Sequence, residues 1–328
     1  MLPVAVDAMG GDEAPGPILA GAHRAAAAGI PIVLVGPSDL DGRTGPDGRV
    51  LDLIEASEII GMHDDPAQGV RRKKDSTLVR AAEAVRDGRA SAMISAGNTG
   101  ATMAAALLRM GRISGVKRPA IATPIPVPGT TPTVLLDAGA NAEVQAEWLV
   151  QFGLMGAVYA RHRFGIESPR VGLLSIGEEP GKGDSLRKET YELLAASDLN
   201  FVGNVEGRDI MSDRLDVCVT DGFTGNVVLK TLEGGMKAIV AALLDAFAAE
   251  DHYKPHADAL MPALVPLYEE LSPDTYGGAV LLGVDGVCII AHGSSGPDAI
   301  ANGIDVARDM VEHDMVGEMR AAIAAYGA

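Results

Sequence analysis

The sequence contains few cysteines and few basic residues. Cys218 and Cys288 are its two cysteines, and they are far apart in the chain and show no metal-ligand spacing. No disulfide framework is therefore expected, and a reducing cytoplasm is the predicted compartment. Lysines and arginines number 27 against 44 aspartates and glutamates, which gives a formal net charge of −17. This balance argues against nucleic acid as the main partner, because binding to a phosphate backbone needs a basic face.

Long hydrophobic runs and nucleotide-binding loops are also lacking. No uninterrupted apolar run approaches the roughly 18 residues that cross a bilayer, and the N-terminus lacks the basic region of a signal peptide. Residues 177–183 (GEEPGKG) have three residues rather than four before Gly-Lys, and Gly183 stands where a P-loop has Ser or Thr. No GxGxxG follows the first strand-like run. The sequence predicts a protein that is soluble or at most peripheral, and we expect neither a cofactor nor a metal.

Short apolar runs alternate with alanine-rich helical stretches through most of the chain. This pattern is typical of a mostly parallel sheet that helices cover on both faces. We therefore predict an α/β fold and treat residues 1–328 as a single domain, with a loop at residues 40–50. The strand-like runs are VAVDA, IPIVLVG, SAMISAG, TVLLDAG, RVGLLSIG, LDVCVTDG and VCIIAHG.

One segment interrupts this alternation. Residues 251–274 carry apolar residues at helical spacing, among them Leu260, Leu264 and Tyr268, together with four prolines. We interpret the surrounding region, about residues 235–275, as a helical excursion off the main sheet.

Five of the apolar runs end in polar, glycine-rich segments. Ligands of open α/β sheets bind outside the carboxyl ends of the strands, so we expect these ends to share one edge and to form a cleft. Three of them have a simpler explanation: a tight turn for the first, helix capping for the second, and a packed core histidine for the last. The five segments are 7–12 (DAMGGD), 95–100 (SAGNTG), 137–141 (DAGAN), 221–226 (DGFTGN) and 292–295 (HGSS).

Two features favour an anion as the ligand. The turn at residues 97–100 precedes a helix, and a turn of small residues there presents free backbone N–H groups and the positive end of the helix dipole. Residues 71–74 (RRKK) form the densest basic run of an acidic chain. A solvated helix surface is the simpler explanation of that run, and phosphate binding or attraction of an acidic partner is the alternative.

Nine stretches stand out in order between residue 7 and residue 295: DAMGGD, RRKKDS, SAGNTGA, LLDAGAN, IGEE, FVGNVEGRDI, TDGFTGNVVLKTLEG, YGGAVLLGV and IIAHGSS. Together they resemble the signature segments of the bacterial phosphate acyltransferases of phospholipid synthesis. The resemblance implies that an acyl carrier protein thioester and inorganic phosphate give acyl phosphate, for phosphatidic acid synthesis, and free carrier protein. It implies a three-layer α/β/α fold related to phosphotransacetylases and to isocitrate and isopropylmalate dehydrogenases.

The resemblance also implies partners. It implies a homodimer, peripheral contact with the inner face of the cell membrane through an apolar tip of paired helices, and a downstream glycerol-3-phosphate acyltransferase. A dimer interface without a membrane role is the alternative for the tip. The segment is acidic on balance, so any membrane affinity must be hydrophobic. The residues that match the tip are Leu260, Met261, Leu264 and Val265.

The implied reaction needs no covalent intermediate, because a thioester is already activated and phosphate is itself the nucleophile. Positioning and oxyanion stabilisation should dominate catalysis. The expected phosphate ligands are Gly97, Asn98, Thr99, Gly100, Lys73, Lys74, Ser294 and Ser295, and the catalytic candidates are His292, Asp221 and Asn226. The residues expected to line the cleft are Asp7, Gly10, Gly11, Asp12, Asp137 and Asn141. The residues expected to dock the acidic carrier protein are Arg71, Arg72, Arg109 and Arg112.

Two other functions remain compatible with the sequence. A phosphotransacetylase that uses acyl-coenzyme A would share the fold and the anion-binding turns. A non-catalytic scaffold at the membrane surface would need the apolar tip, but it would not need several polar strand ends.

Overall fold

Eleven strands of the computed structural model, which describes residues 1–327, pair into one sheet. The strands are β1 (Val4–Asp7), β2 (Ile32–Gly36), β3 (Asp52–Glu55), β4 (Ala92–Ser95), β5 (Ala120–Ile125), β6 (Thr133–Leu136), β7 (Val171–Leu174), β8 (Phe201–Val205), β9 (Val217–Val219), β10 (Ala279–Leu282) and β11 (Val287–Ile290). Their order across the sheet is β3-β2-β1-β4-β11-β10-β5-β6-β9-β7-β8.

The sheet consists of two parallel blocks that run in opposite directions. Strands β3, β2, β1, β4 and β11 are parallel to one another, and so are β6, β9, β7 and β8. Between the blocks, β10 is antiparallel to both β11 and β5, and β5 is antiparallel to β6. The predicted mostly parallel sheet is confirmed.

The opposite directions of the two blocks correct one sequence-based expectation. The carboxyl ends of β1, β4 and β11 lie at one edge of the sheet, so Asp137 and Asn141, which follow β6, and Asp221, which follows β9, belong to the other edge. The prediction that all five polar segments share one edge is therefore wrong. The reversal takes place at residues 126–132 (PVPGTTP), which connect β5 to β6. Proline and glycine between two apolar runs are the usual signal of such a turn.

Within residues 1–327, ten α-helices and two short 3₁₀ helices (Gly207–Asp209 and Pro273–Tyr276) surround the sheet. The α-helices are α1 (Gly16–Ala27), α2 (Pro66–Arg72), α3 (Thr77–Arg86), α4 (Thr99–Arg109), α5 (Ala146–Phe164), α6 (Ser185–Ala195), α7 (Gly222–Ala248), α8 (Lys254–Leu271), α9 (Pro297–Glu312) and α10 (Met315–Tyr326).

Each face of the sheet has its own hydrophobic core, because successive strand side chains point to opposite faces. In β1, Val4 and Val6 enter one core and Ala5 enters the other. Helices α1, α5, α9 and α10 complete the first core, and α2, α3 and α4 complete the second. The architecture is therefore α/β/α in three layers.

Helices α7 and α8 form the helical excursion that the sequence predicts. Gly222 and Gly225 are the buried residues of α7, and α8 has none. Helix α7 itself begins at Gly222, shortly after β9, and Val228, Leu229 and Leu232 on its first turns pack against the second core. Pro262 and Pro266 lie inside α8 without ending it. No helix within residues 1–327 combines the length and the apolar character that crossing a membrane requires.

Close packing at the start of α7 generates a stability prediction. A Cβ added at Gly225 would overlap the carbonyl oxygen of Asp137, so Gly225→Ala forces the loop after β6 away from α7. We expect the free energy of unfolding to fall by about 3 kcal/mol, the upper range for overpacking. Urea denaturation, read from the midpoint at constant m, measures the change.

Gly234→Ala is the matched control, because it makes the same substitution in the same helix with no atom within 4 Å of the added Cβ. It should raise stability by about 0.5–1 kcal/mol, since glycine is unfavourable inside a helix. Equal midpoints for the two variants would contradict the packing argument.

Candidate active site

A buried carboxylate organises the first polar group, at the end of β1. Oδ2 of Asp7 accepts a hydrogen bond from Oγ of Ser95 at 2.7 Å, and Oδ1 accepts one from the backbone N–H of Met9 at 3.2 Å. Oγ of Ser95 in turn accepts the N–H of Gly97 at 3.0 Å. Burial raises the pKa of Asp7, and hydrogen bonds from Ser95 and Thr77 oppose that rise. Asp7 thereby fixes the turn that follows β4.

The loop after β1 packs against two other strand ends. A Cβ at Gly10 would lie 2.6 Å from Oδ2 of Asp7 and 2.8 Å from the backbone nitrogen of Gly97. Any residue other than glycine would therefore clash at this position. One at Gly11 would lie 3.4 Å from the carbonyl oxygen of Gly293, and the N–H of Asp12 donates to that same oxygen at 2.8 Å. The ends of β1, β4 and β11 therefore meet in one place.

The turn at the start of α4 offers unused hydrogen-bond donors. Asn98 caps the helix through Oδ1, which accepts the N–H of Ala101 at 3.0 Å, and its Nδ2 donates to the carbonyl oxygen of Met62 at 2.9 Å. The N–H groups of Thr99 and Gly100 have no acceptor among residues 1–327. Two free N–H groups at the positive end of a helix can bind an anion.

The two lysines of the basic run occupy different environments. Nζ of Lys73 forms an ion pair with Oδ2 of Asp64 at 2.6 Å and donates to the carbonyl oxygen of Ile59 at 2.7 Å. The hydrogen bond from Lys73 lowers the pKa of Asp64. Lys73 therefore ties the segment before α2 to the end of that helix. Lys74 is exposed and makes no ion pair with any residue from 1 to 327.

His292 lies exposed beyond the end of β11, in a defined orientation. Its Nδ1 is 2.7 Å from Oγ of Ser294 and 3.3 Å from the N–H of Ser294, and its own N–H donates to Oγ of Ser295 at 3.0 Å. Because the N–H of Ser294 points at Nδ1, Nδ1 is an acceptor and the neutral ring carries its proton on Nε2. His292 therefore presents an Nε2–H group to solvent.

The second polar group surrounds Asp137, beyond β6. Oδ1 accepts the N–H groups of Ile121, Gly139 and Ala140 at 2.9–3.1 Å, and Oδ2 accepts the N–H and Nδ2 of Asn141 at 2.7 and 2.8 Å. Burial nevertheless raises the pKa of Asp137. Its carboxylate shapes the loop and has no face left for a substrate.

Asp221 is the N-cap of α7. Its carboxylate accepts the N–H and Oγ1 of Thr224, each at 2.8 Å, and forms an ion pair with Arg187. Burial alone would raise the pKa of Asp221, but the bonds from Thr224 and Arg187 outweigh burial and lower it. The N–H of Gly222 donates to the carbonyl oxygen of Asn141 at 2.7 Å, so α7 supports the loop after β6.

Asn226 and Arg187 also belong to this region, and only Asn226 is predicted from the sequence. Asn226 is exposed and its Cβ lies 3.6 Å from the position of a Cβ on Gly139. The sequence does not reveal the role of Arg187, because its contacts with Thr220, Asp221 and Thr224 join residues 33–37 positions apart and no local pattern predicts them.

An open groove of about 730 Å³ joins the two groups. Gly100 from the first group and Asn141 from the second both line it, and Nδ2 of Asn141 donates to the carbonyl oxygen of Pro119 at 2.8 Å. The groove lies between α4 and the loop that leads into α5, above β10. Its apolar lining residues are Met103, Ala104, Leu107, Val144, Trp148 and Leu281.

Arg118 and Trp148 face each other across one part of the groove. Cζ of Arg118 lies 5.0 Å from the centre of the Trp148 ring, within the range of a cation–π contact. Neither residue is among those expected in the cleft from the sequence alone. The available signal is that Trp148 is the one tryptophan of the chain and follows the DAGAN segment closely.

The four arginines expected at a docking surface are not equally available. Arg71 and Arg72 are exposed at the end of α2. Nε of Arg109 lies 3.8 Å from Oε1 of Glu83, and Arg112 donates to the carbonyl oxygen of Lys117. Two guanidinium groups of the expected surface are thus already engaged within the chain.

The two cysteines do not supply a nucleophile. Cys218 and Cys288 are fully buried, and burial raises the pKa of each thiol to about 12. Neither is a thiolate near neutral pH, and neither reaches the groove.

Comparison with known proteins identifies the family. The family model described as "Fatty acid synthesis protein" matches residues 2–318. The phosphate acyltransferase of Bacillus pumilus is 45% identical over 314 residues, 95% of each chain. That of Pelotomaculum thermopropionicum is 47% identical over 324 residues, 98% of this chain and 94% of the relative. This chain belongs to the phosphate acyltransferase family. It is an acyltransferase, as the resemblance implies.

Solved structures of other enzymes share the fold of this protein. A phosphotransacetylase from Streptococcus pyogenes aligns with a TM-score of 0.63 over 95% of this chain and 94% of its own, at 16% identity. A 4-hydroxythreonine-4-phosphate dehydrogenase from Klebsiella pneumoniae aligns with a TM-score of 0.53 over 95% of this chain and all of its own, at 12% identity. The expected relation to phosphotransacetylase and dehydrogenase folds is confirmed.

The Arg187–Asp221 ion pair generates a pH-dependent prediction. The pKa of Asp221 in the folded protein lies below its ordinary value of 3.8, so its carboxylate stabilises the fold above pH 3.8, and that contribution is lost as the pH falls through the folded pKa. Asp221→Asn keeps a capping oxygen and removes the charge. We expect a lower Tm than wild type at pH 7 and a difference that closes below pH 3.8, measured by calorimetry.

Asp184→Asn is the matched control, because Asp184 also caps a helix and also pairs with Arg187, at 3.2 Å. Its side chain is 60% exposed, against 9% for Asp221, and exposed pairs contribute little. A Tm loss at pH 7 as large as that of Asp221→Asn would refute the assigned role of burial.

Proposed function

We propose that this acyltransferase moves a fatty acyl group from the thioester of acyl carrier protein to inorganic phosphate. The observation that carries the proposal is the groove, which is apolar along α4 and meets the free N–H groups of Thr99 and Gly100 at one end. An apolar wall suits an acyl chain, and N–H groups at a helix start suit phosphate. The product is the acyl phosphate used for phosphatidic acid and phospholipid synthesis.

The reaction is a direct displacement at the thioester carbonyl. A phosphate oxygen attacks the carbonyl carbon, a C–O bond forms, and the C–S bond breaks. The proton of hydrogen phosphate passes to the leaving thiolate, so acyl phosphate and free thiol balance the reactants. The buried, protonated thiols of Cys218 and Cys288 agree with a mechanism that has no cysteine intermediate. Positioning the two reactants then supplies most of the acceleration.

The first polar group is assigned to phosphate. The turn from Gly97 to Gly100 provides the backbone donors, and the Ser294 and Ser295 hydroxyls and the Lys74 ammonium complete the surroundings. Asp7 and Asp12 would repel phosphate directly, so their part is to hold the turns that bind it. His292 is the candidate to hydrogen-bond phosphate through Nε2–H or, in the other tautomer, to take the proton of hydrogen phosphate on Nε2 and pass it to the leaving sulfur.

The second polar group is assigned to the opposite wall of the groove. Asp221 and Arg187 fix the start of α7, the N–H of Gly222 holds the carbonyl oxygen of Asn141, and Asn141 lines the groove. Asp221, already ionised and capped, orients this wall rather than accepting a proton. Asn226, on the first turns of α7, has an amide free to face the substrate.

Carrier docking is assigned to the end of α2. Acyl carrier protein is acidic, and Arg71, Arg72 and Lys74 form an exposed basic surface on an acidic chain. Their position is consistent with the groove opening, because Pro66 at the start of α2 contacts Gly100: a Cβ on Gly100 would lie 2.7 Å from Cγ of Pro66. Electrostatic attraction there would steer the carrier.

The helical excursion is assigned to assembly and to the membrane. Leu260, Met261 and Val265 on α8 are 56%, 37% and 47% exposed, and Leu264 is half-buried. A second copy of the chain against α7 and α8 would cover part of this apolar surface, and the tip would contact the inner face of the cell membrane. That placement would bring acyl phosphate to the glycerol-3-phosphate acyltransferase that consumes it.

A donor comparison with purified protein tests the proposed function. We expect hexadecanoyl-carrier protein to lose its thioester only when phosphate is present, with acyl phosphate formed in equal amount. Hexadecanoyl-coenzyme A should react with a kcat/KM at least tenfold lower, because it lacks the acidic carrier that binds α2. Comparable rates with hexadecanoyl-coenzyme A would establish a phosphotransacetylase instead. If neither donor is turned over, the non-catalytic scaffold is the remaining function.

His292→Ala tests the proton-transfer role. We expect kcat to fall about hundredfold, the lower range for loss of a general acid, with an unchanged Tm because the ring is exposed. Ser294→Ala should show a smaller loss, since it leaves the ring in place and removes one partner of Nδ1. His256→Ala, at an exposed site on α8, is the control. Full activity of His292→Ala from pH 6 to 9 would remove this role.

A further inference from the structure

The only tryptophan of the chain, Trp148, lines the groove, so its fluorescence reports on what the groove binds. Trp148 is in the first turn of α5, its side chain is half-buried, and it lines the groove. Arg118 lies over its ring at 5.0 Å. A guanidinium over an aromatic face attracts the ring and restricts its rotation.

Both partners are attached to backbone that is already fixed. Arg118 immediately precedes Pro119, whose carbonyl oxygen accepts Nδ2 of Asn141 at 2.8 Å. The N–H of Trp148 donates to the carbonyl oxygen of Gln145 at 3.0 Å, at the start of α5. The indole is therefore a preorganised apolar surface, and it loses little conformational entropy when a ligand rests on it.

The topology places this surface far from the anion-binding turn. Helix α4 starts at the carboxyl end of β4 and returns along the sheet, and β5 is parallel to β4. Residues 118–119 lead into β5 and so lie at the end of the groove beyond Leu107, not at Gly100. From Gly100 to Leu107 the helix advances about 10 Å, at 1.5 Å per residue. A chain held at Gly100 must run that distance before it meets Trp148.

We propose that Trp148, held by Arg118, makes this acyltransferase prefer long acyl chains. The carbonyl end lies at the turn of Gly100, the chain follows α4, and its far methylenes rest on the indole. A short chain ends before the ring and gains nothing from it. This inference rests on the proposed function, because it takes the acyl chain as the occupant of the groove.

The energetics give the size of the effect. Burying one methylene changes an equilibrium about fourfold at room temperature, so an indole that covers two or three methylenes changes binding by more than tenfold. The contact is the same in the bound donor and in the transition state. Its loss should therefore raise KM and leave kcat unchanged.

The first test compares donors of increasing length on the full-length protein. Butyryl, octanoyl, dodecanoyl and hexadecanoyl thioesters of the carrier are assayed with wild type, Trp148→Ala and Trp148→Phe. We expect Trp148→Ala to raise KM for hexadecanoyl donor at least tenfold, with butyryl donor unaffected and kcat constant. Trp148→Phe should recover part of the loss, because it retains an aromatic ring.

Leu108→Ala is the matched control, because Leu108 is adjacent to Leu107 on α4 but is 52% exposed and outside the groove. It should leave the chain-length profile unchanged. An equal loss for every donor in Trp148→Ala would show a merely structural role, and an unaltered profile would also overturn the proposal.

The second test measures ligand binding in the groove without catalysis. Because Trp148 is the one tryptophan, the indole emission of the wild-type protein reports this site alone. Hexadecyl phosphate, below its micellar concentration, should shift the emission to shorter wavelength, whereas butyl phosphate and inorganic phosphate should not. An unchanged emission with hexadecyl phosphate at saturation, established by calorimetry, would overturn the inference. If no donor is turned over yet the shift occurs, the proposed function fails and the groove assignment stands.

Discussion

The antiparallel strands β10 and β5 decide where polar groups can meet in this molecule. In a wholly parallel sheet, every strand ends at one edge, and the five polar segments would crowd together there. Because β5 is antiparallel to β6, the segment after β6 and the start of α7 belong to the opposite edge. The groove is the consequence, since it lies over β10 and gives the two polar groups a common wall. Its length along α4 provides room for an extended ligand between them.

Two buried carboxylates hold these polar groups in shape. Asp7 and Asp137 are almost fully buried, and burial raises the pKa of both. A buried charge is unfavourable unless hydrogen bonds surround it, and each carboxylate accordingly accepts hydrogen bonds both from its own loop and from a neighbouring element. Such a carboxylate has little freedom to contact a substrate. Its contribution to function is to fix the N–H groups and side chains nearby in one geometry.

The sequence predicts the strands that are continuously apolar. It does not predict β5 or β3, and each of these two strands has its own physical reason. The runs that become β1, β4 and β11 are buried on both faces, so they read as apolar throughout. Strand β5 contains Pro124, which argues against a strand even though β5 lies inside the sheet. Strand β3 is largely exposed and polar, so it lacks the apolar run that marks a strand.

The candidate site divides in the same way. Local signals predict an exposed helix start at Gly100, because small residues ahead of a helix leave its first backbone N–H groups accessible. Contacts between distant segments carry no such signal. The pairing of Lys73 with Asp64, and of Arg187 with Asp221, depends on how loops approach each other after folding. A run of basic residues therefore predicts charge at a place in the chain, but not which of its members remains free.

The net charge of −17 sets a condition on any anionic substrate. A phosphate that approaches this surface meets a repulsive field, so the site must attract it over a short range. Backbone N–H groups at a helix start can do so through partial charges, which act within the first turn. Lys73 is committed to Asp64 rather than to the turn, so under the proposed function these N–H groups carry a larger share of phosphate binding.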